Sequence, residues 1–200
     1  QKRIKRGAVQ FSFAEEVFEF DSDQQMTGIG RSYQSSAMKL IEQFMLEANE
    51  TVARHCVKNR IPALYRAHDR PDMRKLQKLQ QTFFRFGVKT SLSTLADPKK
   101  FNEVIEQIQE LPHFEQLQVL LLRSMALAVY QTTNKGHFGL AAEYYAHFTS
   151  PIRRYPDLVV HRAIKEKLHL DKGVKSKHEP MSFVNNEMAE QCSQQERRAE

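Results

Sequence analysis

The sequence predicts an α+β fold, helix-rich, with an N-terminal β-hairpin drawn from an incomplete sheet. Three observations carry this. Val9, Phe11 and Phe13 alternate with Gln10 and Ser12, and Phe18 and Phe20 alternate again after Ala14-Glu15-Glu16, which is the period of paired strands. Beyond Ser35 the apolar residues return every three or four positions, the period of helices with one buried face. Prolines and glycines fall between those segments and not within them. Two hundred residues with 40% hydrophobic content are enough for one body with a substantial core.

The elements follow in order. The hairpin opens the chain, and because two strands alone are marginal in water, its sheet needs a further partner. After Gly28-Ile29-Gly30, a long helix is expected from about Ser35 to Val57, with Met38, Ile41, Met45, Ala48 and Val52 on one stripe. Pro62 and Pro71 bracket a short extended piece. Met73, Leu76, Leu79, Phe83 and Phe86 mark a helix that Gly87 stops. Val88 to Ala96 is irregular. Asp97-Pro98 opens a helix carrying Phe101, Val104, Ile105 and Ile108, and Pro112 opens another carrying Leu117, Leu120, Leu121, Met125 and Ala128. A loop from Thr132 to Gly139 follows. Leu158 to Leu168 is helical, Asp171 to Pro180 a polar linker, and Met181 to Glu200 a final helix.

Charge and composition narrow the function. The net charge is +6, with basic clusters at residues 1–6, 66–78 and 153–167, which suits a polyanionic partner and equally suits solvated faces. No run of about 18 apolar residues occurs and the N-terminus has no apolar signal core, so neither membrane spanning nor secretion is indicated. Cys56 and Cys192 lie far apart without metal-ligand spacing, as free thiols of a reducing compartment do.

The densest chemistry lies in Tyr145 to Arg162, which reads YAHFTSPIRRYPDLVVHR. Pro151 holds Ser150 extended, Pro156 suits a first helical turn, and Asp157 falls where a helix favours negative charge. Arg153 and Arg154 therefore sit on a short, stiff bridge between prolines. Guanidinium groups grip phosphate with paired hydrogen bonds and stay charged. The alternative is a capped loop whose arginines pair with carboxylates, and Arg154 in particular is placed either for a second phosphate contact or for an ion pair with Asp157.

HFTSPIRRYPDLVVHR resembles the signature of the RNB-domain exoribonucleases, the ribonuclease II and ribonuclease R family, and RRYPD is more like ribonuclease R. RGAVQF, AMKLIEQFMLEAN, PALYRAHDRP, LLRSM, GHFGLA and CSQQERRAE also resemble successive segments of that catalytic domain. The resemblance implies processive 3′-to-5′ hydrolysis of single-stranded RNA to nucleoside 5′-monophosphates, assisted by Mg²⁺, in the cytoplasm. It implies that Arg153 is the arginine countering charge on the scissile phosphate, that Phe11 stacks a base near the 3′ end, and that Glu42 helps hold the terminal nucleotide, through ribose hydroxyls. Read without the family, Phe11 is a core residue and Glu42 a solvated acid.

The family's metal-binding aspartates lie in a DxxxxxDxDD-type run, and no stretch here matches it. The expectation is therefore the C-terminal part of an RNB catalytic domain over residues 1–200, with Mg²⁺ ligands outside it and no hydrolysis by the fragment alone. Asp21 and Asp23 read as turn formers. His147 and His161 read as structural, while Tyr65, Arg66, His68 and His137 leave a phosphate contact open, and Glu196-Arg197-Arg198 reads as surface pairing. A non-catalytic RNA-binding module that kept the channel without the metals is the alternative reading.

Overall fold

The computed structural model describes residues 2–11, 13, 15–168 and 184–199. Its elements are α1 (Lys2–Arg6), β1 (Glu15–Phe20), β2 (Met26–Ser32), α2 (Ser36–Lys58), β3 (Tyr65–Ala67), α3 (Met73–Arg85), α4 (Leu92–Leu95), α5 (Pro98–Gln109), α6 (Phe114–Ser124), β4 (Val129–Gln131), α7 (Tyr155–Lys167) and α8 (Asn186–Ala199), with a 3₁₀ turn at Phe138–Leu140. The α+β expectation holds: helices dominate, and two antiparallel two-stranded sheets pair β1 with β2 and β3 with β4. The linker expected at Asp171 to Pro180 lies outside the described residues.

Two cores form. One joins Ala53 and Cys56 of α2, Leu64 and Tyr65, Tyr130 of β4, Val159, Val160 and Ala163 of α7, and Ala189 of α8. The other is the inner face of the α3–α6 helices, with Leu76, Phe83, Phe101, Val104, Ile108, Leu117 and Leu121 all fully buried. Local chemistry sets the helix starts: Ser35, Asp72, Ser91 and Asp97 each accept a first-turn backbone N–H. Burial within the first core pushes the Cys56 thiol up to about 11, so it stays an inert thiol.

The hairpin is real but displaced. Its arms pair Glu15 with Ser32 and Phe18 with Ile29, and Asp21 Oδ1 accepts the amides of Asp23 and Gln25 to close the turn. Val9 and Phe11, expected on the first arm, instead lie on a strap packed against the second core. Asn102 of α5 substitutes for a neighbouring strand: its Nδ2 donates to Ala8 O and its Oδ1 accepts from Gln10 N, while Val9 N donates to Gly139 O. Ahead of the strap, α1 was not signalled by periodicity; Arg3 Nε donates to Glu50 of α2 at 2.7 Å and Arg6 joins the same carboxylate.

The Ser35–Val57 helix forms as expected, yet its first three turns are open. Met38, Ile41, Phe44 and Met45 are exposed, and burial begins at Asn49, because no described element covers the earlier stripe.

Gly7 and Gly87 both take positive φ, at +99° and +79°, but differ in surroundings. A Cβ on Gly7 would lie 2.6 Å from Lys99 Cα, whereas one on Gly87 meets nothing within 4 Å. Gly87→Ala is expected to cost about 1 kcal/mol and Gly7→Ala about 3 kcal/mol, read from urea unfolding midpoints.

Candidate functional site

The segment from Tyr145 to Asp157 is clamped at several points. Phe148 donates its N–H to Asn49 Oδ1 at 2.9 Å, pairs its carbonyl with His161 Nε2 at 2.8 Å, and stacks its ring on that imidazole at 4.0 Å with 4° between planes. Two residues on, Ser150 donates its N–H to Asp157 Oδ1 at 2.8 Å. The Ser150 carbonyl then accepts from the amides of Arg153 and Arg154, which closes the turn. Helix α7 starts at once, with Pro156 in its first turn and Asp157 beneath it, fully buried.

The two arginines part company here. Arg154 Nη2 donates to Asp157 Oδ1 at 2.8 Å, so the ion pair is present. Its Nε and Asp157 Oδ2 are buried without a hydrogen-bond partner among the described residues. Arg153 is exposed, beside a fully exposed Ile152, and its side chain meets no carboxylate among the described residues. A hydrogen-bonded turn therefore presents to solvent a guanidinium without an ion-pair partner among the described residues.

Behind the turn lies a cluster of rings and cations. Tyr130 Oη and His147 Nδ1 are 2.8 Å apart, and Arg66 sits 4.7 Å over the Tyr130 ring while pairing with Glu196 of α8. His147 is held neutral, its pKa pushed down to about 3 by burial and then by the charges of Arg154, Arg66 and Arg153. His137 is likewise lowered to about 3, by burial and then by His68 and Arg66. His68, whose pKa burial also lowers, packs edge-on at 4.7 Å from His137 and accepts the Gly139 N–H at Nδ1. His147 and His161 thus serve as structural partners. Glu196, expected in a surface pair, does pair, reaching across 130 positions to the largely buried Arg66.

The lowered pKa values of His137 and His147, with His68 shifted in the same direction, make stability depend on pH. Their folded values lie below the ordinary 6.5, so the unfolded chain binds more protons between about 6.5 and 3. Stability is complete above that window and falls as pH drops through it, by up to about 1.4 kcal/mol per pH unit per histidine. The melting temperature is expected to drop steadily from pH 6.5 to 4.5, with a shallower slope in His147→Gln.

The remaining candidates lie on neighbouring elements. Phe11 is half-buried on the strap, stacked 5.8 Å from Phe13 and edge-on at 6.5 Å to Phe101. Phe101 touches Phe138, and Phe138 touches His68, so a run of rings links Phe11 to the histidine cluster. Glu42 is half-exposed on α2, seven residues before Asn49 and so on the same helix face, about 10 Å away along the axis. A cavity of about 570 Å³ lies elsewhere, lined by Gln80, Gln81, Phe84, Arg85, Val88, Lys89 and Thr90, and contains none of these candidates. Among the described residues no three His, Cys, Asp or Glu side chains gather as a candidate metal-ion group.

An α+β domain with a clamped, proline-flanked arginine turn over neutral histidines is the class that fold and site define. The RNB domain pattern matches residues 1–170, and the chain belongs to that family. It is 38% identical over 204 residues to ribonuclease R of Escherichia coli (strain K12), covering 99% of this chain and 25% of that protein. The chain thus spans about a quarter of that relative's length. Among solved structures it is similar to Mycoplasma genitalium RNase R in complex with ribose-methylated single-stranded RNA, at 30% identity and a TM-score of 0.85, covering 98% of this chain and 31% of the other. It is also similar to yeast Ssd1, described as a pseudonuclease, at 26% identity and a TM-score of 0.60, covering 78% of this chain and 19% of the other.

Proposed function

We propose that the protein containing this chain is a processive 3′-to-5′ exoribonuclease that degrades single-stranded RNA to nucleoside 5′-monophosphates in the cytoplasm, and that residues 1–200 form the C-terminal part of its RNB catalytic domain. The observation that carries this is the family match combined with an exposed Arg153, without an ion pair among the described residues, on a hydrogen-bonded turn. Divalent-metal assistance belongs to the reading, with ligands supplied by residues other than those described.

What this chain contributes is grip and charge. The Arg153 guanidinium pairs with oxygens of the scissile phosphodiester and counters charge developing there. Phe11 stacks a base irrespective of its identity, and Glu42 accepts from ribose hydroxyls, which distinguishes RNA from DNA. Arg154 keeps Arg153 company as a second, weaker phosphate contact through whichever N–H groups Asp157 leaves.

The test is release of nucleoside 5′-monophosphates from single-stranded RNA by the intact protein with Mg²⁺ or Mn²⁺, and none from the 200-residue chain alone. RNA binding by the intact protein without any product, under either metal, would favour the second reading, a non-catalytic RNA-binding module. The likeness to a pseudonuclease is what keeps that reading in view.

A further inference from the structure

Asn49 is an unusual residue for the middle of a 23-residue helix, where asparagine is a poor helix former. It is 3% exposed, and both ends of its amide are engaged far along the chain. Nδ2 donates to Tyr145 Oη at 3.2 Å and Oδ1 accepts the Phe148 N–H at 2.9 Å. One side chain on α2 therefore grips the segment leading into the Arg153 turn at two points three residues apart. The neighbouring Glu50, also 3% exposed, is held by Arg3 and Arg6 of α1, which anchors this stretch of helix a second time.

The turn has a second anchor in Asp157, but that residue belongs to the segment itself and moves with it. Arg66 N–H to Tyr145 O and the Tyr130–His147 contact tie the start of this segment to β3 and β4, while Asn49 refers it to α2 and reaches furthest toward the turn, at Phe148. Because Glu42 lies two turns earlier on the same face of α2, the amide also fixes the separation between Glu42 and Arg153.

We propose that Asn49 is a positioning residue that sets the Arg153 turn against α2, acting on hydrolysis through Arg153 without touching RNA. This rests on the role given above to Arg153. Misplacement of a reacting group by about 1 Å can cost on the order of 10²-fold in rate, whereas binding contacts spread along a strand are little changed.

The experiment uses the intact protein with single-stranded RNA and compares Asn49→Leu, Asn49→Asp, Arg153→Ala and the double variant Asn49→Leu/Arg153→Ala. Asn49→Leu, which fills the same space without hydrogen bonds, is expected to lower kcat about 10- to 100-fold with KM within threefold. Asn49→Asp keeps an oxygen for the Phe148 N–H and is expected to stay within about threefold of the parent kcat. In the Arg153→Ala background, Asn49→Leu is expected to lower kcat no further, since the group it positions is gone. The same fold-loss in both backgrounds, or loss in Asn49→Asp equal to that in Asn49→Leu, would overturn the proposal. If Asn49→Leu does not fold, Asn49→Asp decides alone: retained kcat supports the proposal and a large loss in the folded variant overturns it. An Arg153→Ala protein as active as the parent would remove the role of Arg153 instead, a separable result.

Discussion

Arg153→Ala in the intact protein is expected to lower hydrolysis of single-stranded RNA about 10²- to 10³-fold, with RNA affinity held within about threefold. The reason is that its guanidinium is exposed and unpaired among the described residues while the backbone beneath it is pinned at Ser150. Removing it disturbs no buried contact, so the loss should appear in kcat. Arg153→Lys keeps the charge but loses the planar fork, and is expected to recover only part of the rate. Single-turnover kinetics with a separate filter-binding measurement would check this. A variant that degrades RNA at the parent rate would strip Arg153 of its role.

Asp157→Ala is expected to be strongly destabilising, by about 3 kcal/mol, or on the order of 10 °C in melting temperature. Asp157 is fully buried, and its Oδ1 accepts both the Ser150 N–H and the Arg154 guanidinium. Alanine leaves a backbone donor and a largely buried cation unmatched. Arg154 keeps some contact with solvent, which places the cost at the lower end for a broken buried pair. Asp157→Asn retains an acceptor and is expected to cost about half as much. Thermal unfolding of the two variants side by side gives the comparison, and equal melting temperatures for Asp157→Ala and the parent would refute the clamp.

Most helices were legible because their signals are local. Ser35, Asp72 and Asp97 cap helices whose apolar residues repeat on one face, and Gly87 ends α3 in a positive-φ conformation. What escaped was long-range. Strands β3 and β4 are three residues each and pair Tyr65 with Gln131, too short for any periodicity to register. The strap at Val9 to Phe11 continues a strand's alternation, yet the partner it finds beside Gln10 and Ala8 is the Asn102 side chain, which no pattern announces. The one-turn α4, within a stretch expected to be irregular, is visible only through its Ser91 cap.

The site divides the same way. The proline-flanked arginine turn and the Arg154–Asp157 pair could be anticipated from neighbouring residues. The Asn49 grip, the Tyr130–His147 contact and the Arg66–Glu196 pair join positions 17 to 130 apart and needed coordinates. Family resemblance supplied the candidates Phe11 and Glu42, which the periodicity of a strand or helix would have left as ordinary residues.

The neutral imidazoles beneath the turn have one further consequence. With the pKa values of His137 and His147 pushed down to about 3, these two imidazoles add no charge near neutral pH to the field of the neighbouring guanidinium groups and their paired carboxylates. Attraction for a phosphate should thus stay level from mildly acidic to alkaline buffers. Any bend in a rate profile across that span must originate in groups other than this cluster.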